Sequence, residues 1–279
     1  MNLAIESYIP VKRLGLEAGL CTIAQSGFNA VDFTFYFELE ELVNSDNYLE
    51  TAYGVRQLMD QLGLHCAQAH APFSFCYNDD VNCSNHHFRN IVRSMQAASV
   101  LGAKIIVVHA PAAPAGECAH NLILRLYRAL IPYCRQYAVR VGIENLGNAL
   151  STAGEMNALL AELDENYFTV CFDIGHANML GIAPQDYILQ LPAGWLGALH
   201  VHDNDGTDDQ HQIPYRGTVD WDAVIDALRQ TNYCGDFTME AWRFLDDFPN
   251  ELLQDAIIFE SHIASALANR LSEQQGVFL

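Results

Sequence analysis

Basic residues are scarce in this chain. Only 14 Lys and Arg stand against 34 Asp and Glu, a formal net charge of −20 at pH 7. Binding a phosphate backbone needs clustered cations, so nucleic acid is not an expected partner. A small phosphorylated substrate, for which one or two Arg suffice, stays open, although no Gly-rich phosphate cradle stands out. No apolar run reaches the roughly 18 residues of a membrane span. The first residues, Met1 to Glu6, lack the basic region and long apolar run of a secretory signal. The eight cysteines (Cys21, Cys66, Cys76, Cys83, Cys118, Cys134, Cys171, Cys234) form no Cys-x-x-Cys pair. In a chain this large that pattern reads as free thiols in a reducing cytosol, so a cytoplasmic location is expected. No low-complexity linker or charge run marks a second domain, and residues 1–279 are expected to form one.

What is present is apolar and regularly spaced. With 51% hydrophobic residues in 279, the chain can fill the core of one α/β barrel, a fold of about 250 residues. Strands are expected at Leu3–Ile5, Ala30–Phe35, Leu64–His70, Lys104–His109, Arg140–Glu144, Phe168–Asp173, Leu196–His202 and Asp236–Glu240. Helices are expected between them, over 16–25, 49–62, 88–101, 122–137 (interrupted at Pro132), 152–163, 184–191 and 221–230, with a last one over 251–271. Several are closed by Gly, as Gly27, Gly63 and Gly102 show. Eight strand–helix alternations argue for a single (β/α)8 TIM barrel. Asn44–Asn47 and Asn78–Asn85 are then polar excursions on its catalytic rim. The apolar end, Gly276–Leu279, is a candidate homo-oligomer contact.

Chemistry in such a barrel sits at the C-terminal ends of the strands. Six of the eight expected strands end in a metal-binding group: His70, His109, Glu144, Asp173, His200 with His202, and Glu240. Any one of these alone reads as a hydrogen-bonded histidine or a capping acid. Together, carboxylates and imidazoles without nearby cations would repel or be costly to desolvate, and a divalent ion resolves both. The stretch Asp173-Ile174-Gly175-His176 follows a buried apolar run and aims an acid and an imidazole at one cleft. His200 and His202 share a strand face by the period of two. Three oxygen ligands and one imidazole suit Mn, Mg or Co, with Zn also compatible.

These markers, with His70-Ala71-Pro72-Phe73, Ile143-Glu144-Asn145, His200-Val201-His202-Asp203-Asn204 and Met239-Glu240, resemble the xylose isomerase-like barrel superfamily over nearly the full length. That superfamily holds sugar and sugar-phosphate isomerases and epimerases, inositol-catabolism enzymes and endonuclease IV. The resemblance implies one divalent ion on Glu144, Asp173, His200 and Glu240. His200 is preferred to His202 because the family's ligand precedes an acid by three positions, here Asp203. It implies Glu144 and Glu240 as the acid–base pair on opposite faces of a sugar, sugar phosphate or polyol-derived ketose, reacting through an enediolate. His176 would bind substrate oxygen, as would His70 and His109, and Arg216 and Trp242 are further candidate substrate contacts. Two positions depart from the ketose 3-epimerases of this superfamily: Leu150 stands where they carry a Glu, and Gly206 where they carry an Arg.

Other readings remain beside the isomerase. A dehydratase of the inositol-catabolism type shares the enolising step and would yield a dicarbonyl. Endonuclease IV uses three zinc ions, and its pattern would add His70, His109, His176, Asp209 and His211 as ligands; His202, like Asp209 and His211, is a candidate additional metal ligand. The rim loops here, Tyr77–Asp80 and Asp203–Asp209, are acidic, which does not suit DNA. A barrel that binds a metal or sugar without catalysis is the reading from another class.

Overall fold

The computed structural model describes residues 1–112, 119–147 and 150–273. Eight strands form one sheet: β1 (Leu3–Glu6), β2 (Ala30–Thr34), β3 (His65–His70), β4 (Ile105–Val107), β5 (Arg140–Glu144), β6 (Phe168–Asp173), β7 (Leu196–His200) and β8 (Phe237–Met239). They run parallel in the order β7-β6-β5-β4-β3-β2-β1-β8. A parallel bridge between Val201 and Met239 closes the ring, with Val201 N donating to Thr238 O at 2.9 Å and Glu240 N to Val201 O at 3.1 Å. This is the TIM barrel that the alternation predicts. The candidate oligomer contact at Gly276–Leu279 lies outside the described residues.

Each strand turns alternate residues to opposite faces. Ile5, Val31, Phe33, Ile106, Ile143, Phe172 and Leu199 face outward into the layer of helices, where the main core sits. The barrel interior holds a second, small apolar cluster of Ile105, Val107, Cys171 and Ala198. Gly142 faces it, and a Cβ there would come within 3.0 Å of Ile105 and 3.4 Å of Cys171. The other side of the interior is polar. Glu6 pairs with Asp32 and Asp32 with Gln68 across β1, β2 and β3, so the three side chains share the inward face. Gln68 Nε2 donates to Asp32 Oδ2 at 2.7 Å.

Four elements match the sequence expectation end to end: Leu16–Gln25, Arg140–Glu144, Phe168–Asp173 and Trp221–Gln230. Gly63 and Gly102 close their helices in the left-handed region at φ of 70° and 93°, which glycine adopts without a Cβ penalty. The helix expected to break at Pro132 instead runs unbroken from Ala119 to Tyr137. Proline removes the hydrogen bond to the carbonyl four residues back. Here that carbonyl belongs to Arg128, and both residues are exposed, so water can take its place. Four short helices were not expected: Tyr8–Leu14, Glu41–Asn44, Ile174–Met179 and Trp242–Asp246. Helices this short are held by tertiary packing rather than by a periodic stripe. Among the described residues no helix is long and apolar enough to cross a membrane.

Candidate metal centre

The C-terminal ends of β5 to β8 converge on one imidazole. Asp173 and His200 are neighbours in register on β6 and β7, Glu144 ends β5, and Glu240 follows β8. His200 Nδ1 lies 3.1 Å from Glu144 Oε1, 3.3 Å from Glu240 Oε2 and 3.7 Å from Asp173 Oδ2. One ligand atom from each of the four falls within 4.8 Å of the other three, and all four residues are buried. Asn145 fixes the Asp173 backbone from β5: its Nδ2 donates to Asp173 O at 2.8 Å and its Oδ1 accepts from Asp173 N at 2.7 Å. Asp173 Oδ1 caps the helix Ile174–Met179 by accepting from His176 N at 2.7 Å.

The two glutamates are driven apart electrostatically. Burial pushes the Glu144 carboxyl up, but the imidazoles of His109 and His200 more than offset it and hold it well below the usual carboxylate range. Glu240 is pushed well above that range by burial, only partly opposed by His200 and reinforced by Glu6, Asp173 and Glu144. Opposite shifts on paired carboxyls are the usual physical basis of an acid and a base.

Three further groups adjoin the four, two of them flanking it and the third, Asp32, His70 and His200, below it. On one side are His70, His109 and Glu144, with His109 Nε2 2.6 Å from Glu144 Oε2. On the other are His176, His202, Asp209 and His211. His211 Nδ1 donates to Glu240 O at 2.8 Å, which leaves Nε2 bare at 3.0 Å from Asp209 Oδ2. A lone pair facing a carboxylate needs a proton or a cation between them. Burial and the neighbouring His202 disfavour the proton on His211. Burial also opposes charge on His176, but Asp173, Asp209 and Glu144 more than offset it and push its pKa up to about 10. His202 stacks on His211 at 3.9 Å and lies 3.0 Å from the Asp173 carboxylate. Its ring passes so close to Gly175 that any Cβ there would overlap it. That contact explains the glycine between Asp173 and His176.

Nine of the residues singled out in the sequence line this one site: His70, His109, Glu144, Asp173, His176, His200, Asp209, His211 and Glu240. His202 lies beneath them. Trp242 stands at the mouth, its ring 5.0 Å from that of His211. Arg216 is exposed and lines no part of the cleft, which removes it from the set that the structure brings together. Asp203, the acid of the His-Val-His-Asp stretch, is structural: its Oδ2 accepts from Trp221 Nε1 and Tyr215 N, both at 3.0 Å.

Sequence reading missed Asp32. Its Oδ2 lies 2.9 Å from His70 Nδ1 and 3.6 Å from His200 Nε2, so one carboxylate faces two imidazoles from below. Burial opposes its charge, but His70 and His200 hold its pKa far below the usual carboxylate range. Above the ligands the cleft is about 190 Å³, walled by Tyr36, Phe73, Leu146 and Trp242. A separate cavity of about 500 Å³ opens at the N-terminal end of the barrel beside Arg140 and Tyr233. None of the clustered ligands borders it.

A parallel barrel with its acids and imidazoles gathered at the strand C-termini defines a class, and the comparisons agree with it. A family model described as xylose isomerase-like TIM barrel matches residues 22–259, and the chain belongs to that family. An uncharacterised protein of Methanocaldococcus jannaschii is 25% identical over 225 residues, covering 73% of this chain and 74% of that protein. Among solved structures, a D-tagatose 3-epimerase-like protein superposes with a TM-score of 0.76 at 19% identity, over 99% of this chain and all of the other. The IolI protein with a bound zinc atom superposes with a TM-score of 0.72 at 15% identity, over 98% and 99% of the two chains. At these identities the superpositions speak for the fold.

Proposed function

We propose that this protein is a divalent-metal-dependent isomerase or epimerase of a sugar, sugar phosphate or polyol-derived ketose. The observation that carries this reading is the convergence of Glu144, Asp173 and Glu240 on His200 at the floor of a narrow cleft. The donor set fits a cation. Glu240 Oε2 is buried and has no hydrogen-bond partner, an arrangement that costs about 1–3 kcal/mol for such a group. Three carboxylates and an imidazole suit Mn, Mg, Co or Zn. When bound, the ion supplies Lewis-acid stabilisation of negative charge developing on substrate oxygens.

The chain's own residues would move the proton. Glu144, held ionised by His109 and His200, is the base that takes the proton beside the carbonyl. Glu240, on the other side of the cleft, is the second acid–base group and returns a proton there. The His176 imidazolium donates to a substrate oxygen, and Trp242 and Phe73 exclude water from the reacting carbons. The similarity to an epimerase-like barrel and to a zinc-bound one supports the same reading. The test is solvent deuterium incorporation into candidate ketoses by metal-loaded protein. Exchange at the carbon beside the carbonyl is expected, and Glu144→Gln should abolish it. No exchange across a broad ketose panel would refute the proposal.

A second reading has its own observation. The bare His211 Nε2 against Asp209, and the His70–His109–Glu144 cluster that shares Glu144 with the central four, offer places for two more ions. That is the three-zinc arrangement expected of an endonuclease IV-like phosphodiesterase. The net charge of −20 and the exposed Asp205 and Asp208 on the rim oppose a DNA substrate. Metal content by plasma mass spectrometry separates the two, with about one ion per chain favouring the isomerase and about three the phosphodiesterase.

A further inference from the structure

The narrow cleft over the ligands is not the whole of the opening. A side cleft of about 560 Å³ runs from it along the loops after β3, β4 and β5. The two share Phe73, His109 and Leu146 as walls, so they lie side by side. Clefts that bury a ligand of several rings measure about 300–1,000 Å³. The inner cleft alone falls short of that, and the side cleft falls within it.

The walls of the side cleft combine carbon surface with the polar side chains of Asn78 and His109. Phe75, Tyr77, Pro111 and Ala112 contribute, and no Asp, Glu, Lys or Arg lines it among the described residues. Phe73 is already sandwiched, with Tyr36 at 4.1 Å on one face and His109 at 4.1 Å on the other. Tyr77 is the aromatic left exposed. Two guanidiniums approach the rim, and both are engaged. Arg125 Nη2 donates to Tyr77 O at 2.6 Å. Arg243 lies over the Trp242 ring and 3.6 Å from Asp208. Residues 113–118 and 148–149, outside the described set, contain no Lys or Arg. The inner cleft presents Glu144, Asp209 and Glu240. A phosphate dianion in the side cleft would find no lysine, arginine or free helix amide among the described lining residues, and would lie beside the carboxylates of the inner cleft. The amide end of the helix Ile174–Met179 is already capped by Asp173.

Resting on the sugar isomerase reading above, we propose that the substrate is an unphosphorylated keto-sugar carrying a second neutral ring, a keto-disaccharide or keto-glycoside. The reacting sugar lies over Glu144 and Glu240, and the second ring lies in the side cleft against Tyr77 and Leu146. The C–H face of a sugar ring is apolar and packs on aromatic and aliphatic surface, while its hydroxyls reach backbone groups and water.

Binding and exchange are measured separately on metal-loaded protein, with fructose, fructose 6-phosphate, lactulose and isomaltulose as probes. Calorimetry is expected to show the two-ring ketoses binding at least about tenfold tighter than fructose, the gain from burying roughly 60 Å² of carbon surface. Fructose 6-phosphate should bind no tighter than fructose. Tyr77→Ala, at an exposed position, should cut the two-ring preference several-fold. Two-ring preference in binding without deuterium exchange would keep this inference and remove the isomerase reading. Exchange on fructose or its phosphate without a two-ring preference would do the reverse. Tightest binding of the phosphate, or no binding of any probe, would overturn the inference.

Discussion

Asp32 is the residue whose replacement tests the electrostatic design of the site most directly. Its Oδ2 accepts from Gln68 Nε2 at 2.7 Å and lies 2.9 Å from His70 Nδ1 and 3.6 Å from His200 Nε2. Asp32→Asn keeps the volume and an oxygen for Gln68, and removes the charge. It also places an amide donor where an acceptor faced two ring nitrogens. His200 Nε2 then loses the carboxylate 3.6 Å away and keeps only Cys171 Sγ at 3.3 Å, so the ring is held less firmly with Nδ1 toward the three carboxylates. Carboxylates that orient a ligating imidazole are worth about 10–100-fold in metal affinity, which corresponds to about 1.4–2.7 kcal/mol. The assay is competition for Zn or Mn against a fluorescent chelator at neutral pH, with circular dichroism to verify the fold. Affinity within about twofold of the parent, in a folded variant, would refute the role assigned to Asp32.

Three other perturbations read different parts of the structure. In Gly175→Ala the new Cβ overlaps the His202 ring; overpacking of about 1–3 kcal/mol outweighs the helix-propensity gain of up to about 1 kcal/mol, so Tm falls. An unchanged or raised Tm would show that His202 is free to move. Stripping divalent ions with EDTA should lower Tm, because a ligand at 1,000 times its Kd contributes about 4 kcal/mol; an identical Tm with and without added Mn, Co or Zn would count against the site. Glu260→Gln concerns a carboxyl with both oxygens buried, pushed well above its ordinary value of 4.5 by burial, only partly opposed by the Ala241 backbone. A raised folded-state pKa makes its stability contribution full below 4.5 and progressively lost as pH rises, at up to about 1.4 kcal/mol per pH unit. The Gln variant escapes that loss. Its stability relative to the parent should therefore rise between pH 4 and pH 7 in parallel urea titrations, and a flat difference would contradict the burial of the acid.

The barrel was legible because its two periods are clean. Strands such as Arg140–Glu144 and helices such as Trp221–Gln230 are bounded by changes of pattern that survive into the structure. Boundaries blurred where local chemistry ended an element early. The helix expected over 152–163 is Ala153–Leu160, because Thr152 and Glu155 form a reciprocal capping box, which makes Thr152 the cap rather than the first helical residue. Trp242–Asp246 and Ile174–Met179 were invisible because five or six residues hold too little periodicity to register. Both sit on the C-terminal rim of the barrel, just after Asp173 and Glu240, where packing around the site decides the backbone.

The site was legible only as far as it lies at strand ends. His70, Glu144, Asp173, His200 and Glu240 stand out because each closes an apolar run. Asp32 lies in the middle of Ala30-Val31-Asp32-Phe33-Thr34, where an acid flanked by hydrophobics reads equally well as the solvent face of a two-sided strand. Closure of the barrel reverses that meaning, because the face opposite the helices is the interior. A signal was nevertheless present. Thr34 pairs with His70 and Asp32 with Gln68, so Asp32 stands two residues before its strand's last residue, as Gln68 stands two before His70. If His70 points into the barrel, the period of two turns Gln68 inward, and parallel register turns Asp32 inward beside it. Arg216 is the converse, a polar residue near a signature stretch that the fold leaves in solvent. Inward-facing position, deduced from register, separates the two where residue type does not.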